Sequence, residues 1–188
     1  MARLEPIDNR AFAAHRDQWL PLLGTEPDVP WNWPAHCRRI GTQHGALPGE
    51  DLAHCALWSD GHLEAMMIVS SAHTCVDDIH AGSDALFIEF LASAPWHRKW
   101  LHVAPPSGAY PPHAGVGACL VNEAILTSRT LGMAGRLAWD AKPTAVEKYR
   151  TMFHRVCHRP PLECGVDAGS GEVSMEIDAS LAAVWQYL

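Results

Sequence analysis

Pro112-His113-Ala114-Gly115-Val116-Gly117-Ala118-Cys119-Leu120 is the stretch that decides how this chain of 188 residues is read. An apolar run, Ala85 to Ala94, precedes it and ends at Pro95. An unbroken helical pattern, Val116 to Leu131, follows it and ends at Gly132. The order is strand, loop, glycine turn, helix. Glycine adopts backbone conformations closed to other residues and lets N–H groups approach a ligand closely. The first turn of a helix has unpaired N–H groups and the positive end of the helix dipole. A phosphate or pyrophosphate suits such a turn. Gly-x-Gly also occurs as plain turn chemistry, so the flanking elements must arbitrate.

Leu86-Phe87-Ile88-Glu89-Phe90-Leu91-Ala92 is nearly all apolar, the pattern of a strand buried on both faces. Downstream, Gly135 to Ala141 predicts a short strand and Thr144 to His154 a helix. Upstream, Ser59-Asp60-Gly61-His62 lies between the apolar runs Ala53–Trp58 and Leu63–Ser70. Asp-Gly in that setting predicts a hairpin. Arg3 to Ile7 reads as an edge strand limited by Pro6. Asp8 or Asn9 caps a helix to Leu23 that buries Phe12, Trp19, Leu20, Leu22 and Leu23 and stops at Gly24. Trp31-Asn32-Trp33-Pro34 opens a short helix through Arg39. Ala72 to Ser83 reads as polar loop with a helical turn at Val76-Asp77-Asp78-Ile79. Val166 to Val173 is a turn between two closing strands, and Ser180 to Leu188 a terminal helix. No linker divides the chain, so one domain over residues 1–188 is expected.

With these elements in this order, the chain resembles the GNAT superfamily, the acetyl-CoA-dependent N-acetyltransferases. The likeness rests on the turn Pro112 through Gly117 and on Ala145-Val146-Glu147-Lys148-Tyr149 in the helix after the next strand. Ala94-Pro95-Trp96, followed by His97-Arg98-Lys99, is similar to a subgroup with an elongated loop there. The resemblance covers roughly Leu57 to His154. The chain departs from the family at Pro112, where Arg or Gln is preferred, and in the long loop from Pro95 to Gly115. It also has Phe153-His154 where Gly-Phe is usual.

The resemblance implies an α/β fold with a mixed, largely antiparallel sheet, splayed fourth and fifth strands, and helices on both faces. It implies acetyl-CoA as acyl donor. The pantetheine arm would pair with the strand edge at Leu91, Ala92, Ser93 and Ala94. The pyrophosphate would rest on the amides of His113, Ala114, Gly115, Val116, Gly117 and Ala118. Arg98 and Lys99 either add contacts to phosphate or form a solvated loop. Tyr149 matches the general acid that protonates the leaving thiolate, or packs its helix on the sheet. The segment before the hairpin shapes the acceptor pocket in such folds. Trp31 and Trp33 are then walls for an apolar or cationic acceptor, or simply packing.

Glu89 is the candidate general base. A carboxylate in an apolar strand is costly to bury unless it is paired, hydrated or used. Burial would raise its affinity for a proton. The alternative is a structural hydrogen bond, and several GNAT members place a catalytic glutamate on this strand. Asp140 is a second choice, and water can also take the proton. Cys119 sits where a helix dipole lowers thiol pKa, but no His or acid partner is placed beside it, so it reads as packing.

Composition narrows the classes. Hydrophobic residues are 48% and charged residues 19%. Net charge is −7 with no basic block, which argues against nucleic acid as partner and is compatible with a cationic amine. No apolar run approaches the roughly 20 residues of a membrane span. The first residues show no signal-peptide pattern, so a cytoplasmic location with reduced cysteines is expected. His73-Thr74-Cys75 with His80, and Cys157-His158 with Cys164, match no zinc spacing, and no metal is expected. The expected partner is an amine, on a small molecule or a protein; a homodimer is compatible. Three functions follow: direct N-acetyl transfer, CoA binding without turnover, and transfer of a longer acyl chain.

Overall fold

The computed structural model of the protein describes residues 2–26, 29–44, 54–76, 81–107, 109 and 115–185. Seven strands among them form one sheet in the order β1-β2-β3-β4-β5-β7-β6. These are β1 (Ala2–Pro6), β2 (His54–Ser59), β3 (His62–Thr74), β4 (Asp84–Ser93), β5 (Leu137–Ala141), β6 (Leu162–Val166) and β7 (Val173–Ile177). The β4–β5 pair is parallel, whereas β1–β2, β2–β3, β5–β7 and β6–β7 are antiparallel. The mixed, largely antiparallel sheet expected from the sequence is therefore present. The chain forms two compact units, Met1–Ile68 with Phe90–Leu120 and Val69–Glu89 with Val121–Leu188. Their boundaries fall inside β3, β4 and a helix rather than in linkers.

In the first unit Asp8 caps helix α1 (Asn9–Ala14), its carboxylate accepting from Ala11 N at 3.0 Å. The helix does not run on regularly to Leu23. A π-helical turn, His15–Trp19, intervenes before α2 (Leu20–Leu23). This inserted turn shifts the phase of the buried stripe. His15 and Trp19 point inward, while Leu22, expected inside, is exposed. Trp19 Nε1 donates to Leu63 O at 2.9 Å, joining the turn to β3. Gly24 ends the segment at φ +59. Helix α3 (Trp33–His44) extends beyond the expected Arg39, and Asn32 accepts from Ala35 N at its start. The core of this unit gathers Trp19, Trp33, Trp58, Met66, Ile68 and Trp96.

The β2–β3 hairpin turns at Asp60 (φ 46) and Gly61 (φ 90). Two positive φ values in a two-residue loop match the right-handed twist of the strands, which is why Asp-Gly marks the site. β3 runs to Thr74, so the expected loop from Ala72 begins later. The helical turn expected at Val76–Ile79 lies largely outside the described residues, as does the far end of the terminal helix.

In the second unit α4 (Val116–Thr130) leads through Gly132 to β5, α5 (Pro143–Cys157) follows, and α6 (Ala179–Val184) ends the fold. α4 itself begins in the first unit. Trp139 of β5 stacks on Phe153 of α5 at 5.5 Å and 13°, and Phe153 meets Trp185 at 4.8 Å. Asp167 shapes the β6–β7 turn, accepting from the Gly169 and Ser170 amides. Those bonds hold its carboxyl below the usual range.

Two features of β4 matter for function. Its ladder with β5 covers only Leu86, Phe87 and Ile88, while the strand continues to Ser93. Leu86 N also faces β5, donating to Arg136 O, whereas Ala94 N faces β3, donating to Glu64 O. In a regular strand residues an even number apart point their N–H groups the same way. The backbone between Ile88 and Ala94 therefore contains an irregularity that reverses this parity.

Gly61→Ala should destabilise the protein by about 1–2 kcal/mol, because the turn needs φ +90 while the added methyl meets no neighbour. Urea unfolding checks this: the midpoint should fall with the slope unchanged.

Candidate functional site

The glycine turn opens α4 in the first unit. Gly115 has φ +78, and its carbonyl accepts from Cys119 N at 3.1 Å, the first bond of the helix. Val116, Gly117 and Ala118 then form a first turn with no acidic residue in it. A Cβ built on Gly117 would lie 4.0 Å from Leu91 Cδ2 and meet nothing closer. The open helix end thus borders β4 at Leu91. His113 and Ala114, expected to share the phosphate contact, lie outside the described residues. Cys119 is half-buried one step further along the helix.

The exit of β4 is built on a residue that the sequence reading passed over. Glu64 of β3 is fully buried. Its Oε2 accepts from Trp96 Nε1 and from His97 Nε2, both at 2.8 Å. Its main-chain oxygen takes Ala94 N at 2.8 Å. The same signal that singled out Glu89, a carboxylate inside an apolar strand, was present at Glu64 in Leu63-Glu64-Ala65-Met66.

Arg98 corrects both of its expected roles. It is buried, and it is neither a solvated loop residue nor directed at a phosphate. Its Nε and Nη2 donate to Ser93 O at 3.0 and 2.8 Å, and its Nη1 meets Glu26 Oε2 at 3.2 Å. Lys99 is exposed. The Ser93 carbonyl and the Ala94 N–H are therefore already engaged. A chain laid along Leu91, Ala92, Ser93 and Ala94 has to use the remaining groups of that edge.

In the second unit Glu89 is half-buried and accepts from Ser70 Oγ at 2.8 Å through Oε1. Among the described residues its Oε2 has no hydrogen-bond partner. Asp140 is exposed and accepts from Ser174 Oγ at 2.7 Å. Tyr149 lies on α5 with its ring 5.2 Å from that of Trp139. The residue is half-buried, and burial pushes the phenol up to about 12. No partner among the described residues holds that hydroxyl.

The two tryptophans of the acceptor region separate in role. Trp33 is 1% exposed and belongs to the core. Trp31 is half-buried and stands edge-on to Phe90 at 5.0 Å and to Trp33 at 5.8 Å. Both border a cavity of about 650 Å³ between the π-helical turn and the start of α3. Among the described residues, no cluster of three or more His, Cys, Asp or Glu could hold a metal, and no helix is long and apolar enough to cross a membrane.

No protein-family model matches the chain, and no curated protein matches it in sequence. Solved structures do. Ard1 from Thermoplasma volcanium superposes with TM-score 0.59 at 10% identity, over 94% of this chain and 96% of that one. Naa50 from Arabidopsis thaliana, in complex with the bisubstrate analogue CoA-Ac-MVNAL, gives TM-score 0.53 at 10% identity, over 94% and 98%. The N-acetyltransferase YlbP from Bacillus subtilis, in complex with coenzyme A, gives 0.52 at 12%, over 94% and 96%. The chain has a GNAT-like fold. At these identities the likeness is one of fold; residue roles rest on this chain's own chemistry.

The buried phenol gives the GNAT-like fold an alkaline limit. Tyr149 has a folded-state pKa raised to about 12, above the unfolded value of about 10. Its contribution is fully present below pH about 10 and is lost as pH rises through about 12. The melting temperature should therefore fall more steeply across that window in the native protein than in Tyr149→Phe. Identical alkaline profiles would contradict the burial of the hydroxyl.

Proposed function

We propose that the protein is an acetyl-CoA-dependent N-acetyltransferase acting by direct transfer to an amine. The observation that carries this reading is the open first turn of α4, with Gly115 and Gly117 beside Leu91, in a GNAT-like fold. Unpaired N–H groups and the helix dipole there suit a pyrophosphate. The stretch of β4 beyond Ile88, outside its ladder with β5, suits the amide-bearing pantetheine arm.

Transfer needs a neutral amine, which attacks the thioester carbonyl carbon and forms the C–N bond. Collapse of the tetrahedral centre breaks the C–S bond. The leaving thiolate takes one proton, and the amine gives one up. We assign the first proton to Tyr149, whose phenol stays protonated throughout the neutral range. The second goes to Glu89, whose Oε2 is open to accept it while Ser70 fixes Oε1, or to water.

Calorimetry with CoA tests the cofactor loop. Gly117→Glu puts a carboxylate where phosphate belongs, while acidic residues are well tolerated in a first helical turn. CoA affinity should drop by about tenfold or more, the weight of one charge-assisted contact. Unchanged affinity in the folded variant would remove the site assignment.

A thiol-release assay with acetyl-CoA and longer acyl-CoAs tests turnover and acyl preference. Tyr149→Phe should lower turnover by roughly 10²–10⁴-fold, the range of positioned acid–base catalysis. Glu89→Gln should lower turnover while sparing CoA affinity. Full activity in either variant returns that residue to a structural role.

A further inference from the structure

The cavity beside α1 and α3 has a character that the overall charge of the chain does not suggest. Its walls include Phe12, Leu20, Val29 and Trp31, all half-buried. Side chains of this kind left open at a concave surface mark an apolar ligand. Its volume of about 650 Å³ matches a small molecule rather than a protein segment. The Trp31 wall is stiff, because Phe90 and Trp33 brace the ring edge-on. Trp33 is braced in turn by His15 at 6.1 Å.

The rim is basic. Arg16 and Arg38 line it, both exposed, and no Asp or Glu is among the described lining residues. Arg16 pairs with Asp17 at 2.7 Å, and both side chains are well exposed. An exposed pair of this kind contributes little and exchanges readily for an incoming carboxylate. A polyammonium acceptor would meet two guanidinium groups at the mouth, although the chain as a whole carries −7.

We propose that this cavity binds an amine built on an apolar, ring-bearing body that also carries a carboxylate, in the manner of a free aromatic amino acid. The assignment of that ligand as the acetyl acceptor rests on the acyltransferase reading above; the binding itself does not. The ring lies against Trp31, the carboxylate meets the arginine rim, and the amine stays outside the apolar wall.

The test is calorimetric titration without acetyl-CoA, using L-phenylalanine, L-phenylalaninamide and spermidine. L-phenylalanine should bind, and its amide about tenfold or more weaker, the loss of one charge-assisted contact. Spermidine should show no binding. Arg38→Gln, an exposed change that leaves the core untouched, should narrow the gap between acid and amide. Trp31→Ala should weaken both. Equal binding of acid and amide, tightest binding of spermidine, or no binding of any probe overturns the proposal. CoA titration of the same sample separates the two ideas. CoA binding without amino-acid binding removes only this ligand class. Amino-acid binding without CoA binding removes the acyltransferase reading and leaves the cavity assignment standing.

Discussion

The fully buried carboxylate of Glu64 governs how β4 ends. A charge without solvent is tolerated only when its lone pairs are used. Here the Trp96 indole and the His97 imidazole both point at one oxygen. The main-chain oxygen of Glu64 holds Ala94, so one residue of β3 grips the chain at three successive places. Arg98 completes the grip by chelating Ser93 O. The loop that leaves β4 therefore departs from a fixed point, and the strand edge just before it keeps its shape. Removing one partner of such a buried cluster typically costs about 3–5 kcal/mol, because it strands a charge in the interior.

The proposed chemistry depends on that rigidity. The ladder of β4 with its parallel partner β5 covers only Leu86, Phe87 and Ile88, so beyond them that edge is not used by β5. Such an edge would be a pairing hazard if it were long and free. It is short here, and the groups at its far end are already engaged by Glu64 and Arg98. What is left suits a single extended ligand. The start of α4 adds the second requirement, a helix end with two glycines where an added side chain would meet nothing closer than Leu91.

Aromatic packing differs between the two units. In one, Trp139, Phe153 and Trp185 form a continuous stack, and Tyr149 lies against its edge with its phenol pushed up by burial. In the other, Trp31, Trp33 and Phe90 meet edge-on, and Trp31 and Trp33 border a cavity. The same residue type thus surrounds a phenol in one unit and borders a cavity in the other.

The order of strands and helices, the hairpin at Asp60-Gly61, the cap at Asp8, and the glycine turn before α4 were legible in the sequence. Each is a local matter, because period, capping oxygen and positive φ act within a few residues. The π-helical turn was not legible, since Trp19 is held by Leu63 far along the chain. Glu64 and Glu89 look alike as letters, a carboxylate in an apolar run. Only the fold aims Trp96 and His97 at one carboxylate and leaves the other an open oxygen. Arg98 reads as a phosphate ligand or a surface charge until the chain folds back and offers it Ser93 O. The sequence determined which elements form and where they turn. The tertiary structure decided which buried charges are spent on holding the fold and which remain available, because that depends on partners brought together from distant positions.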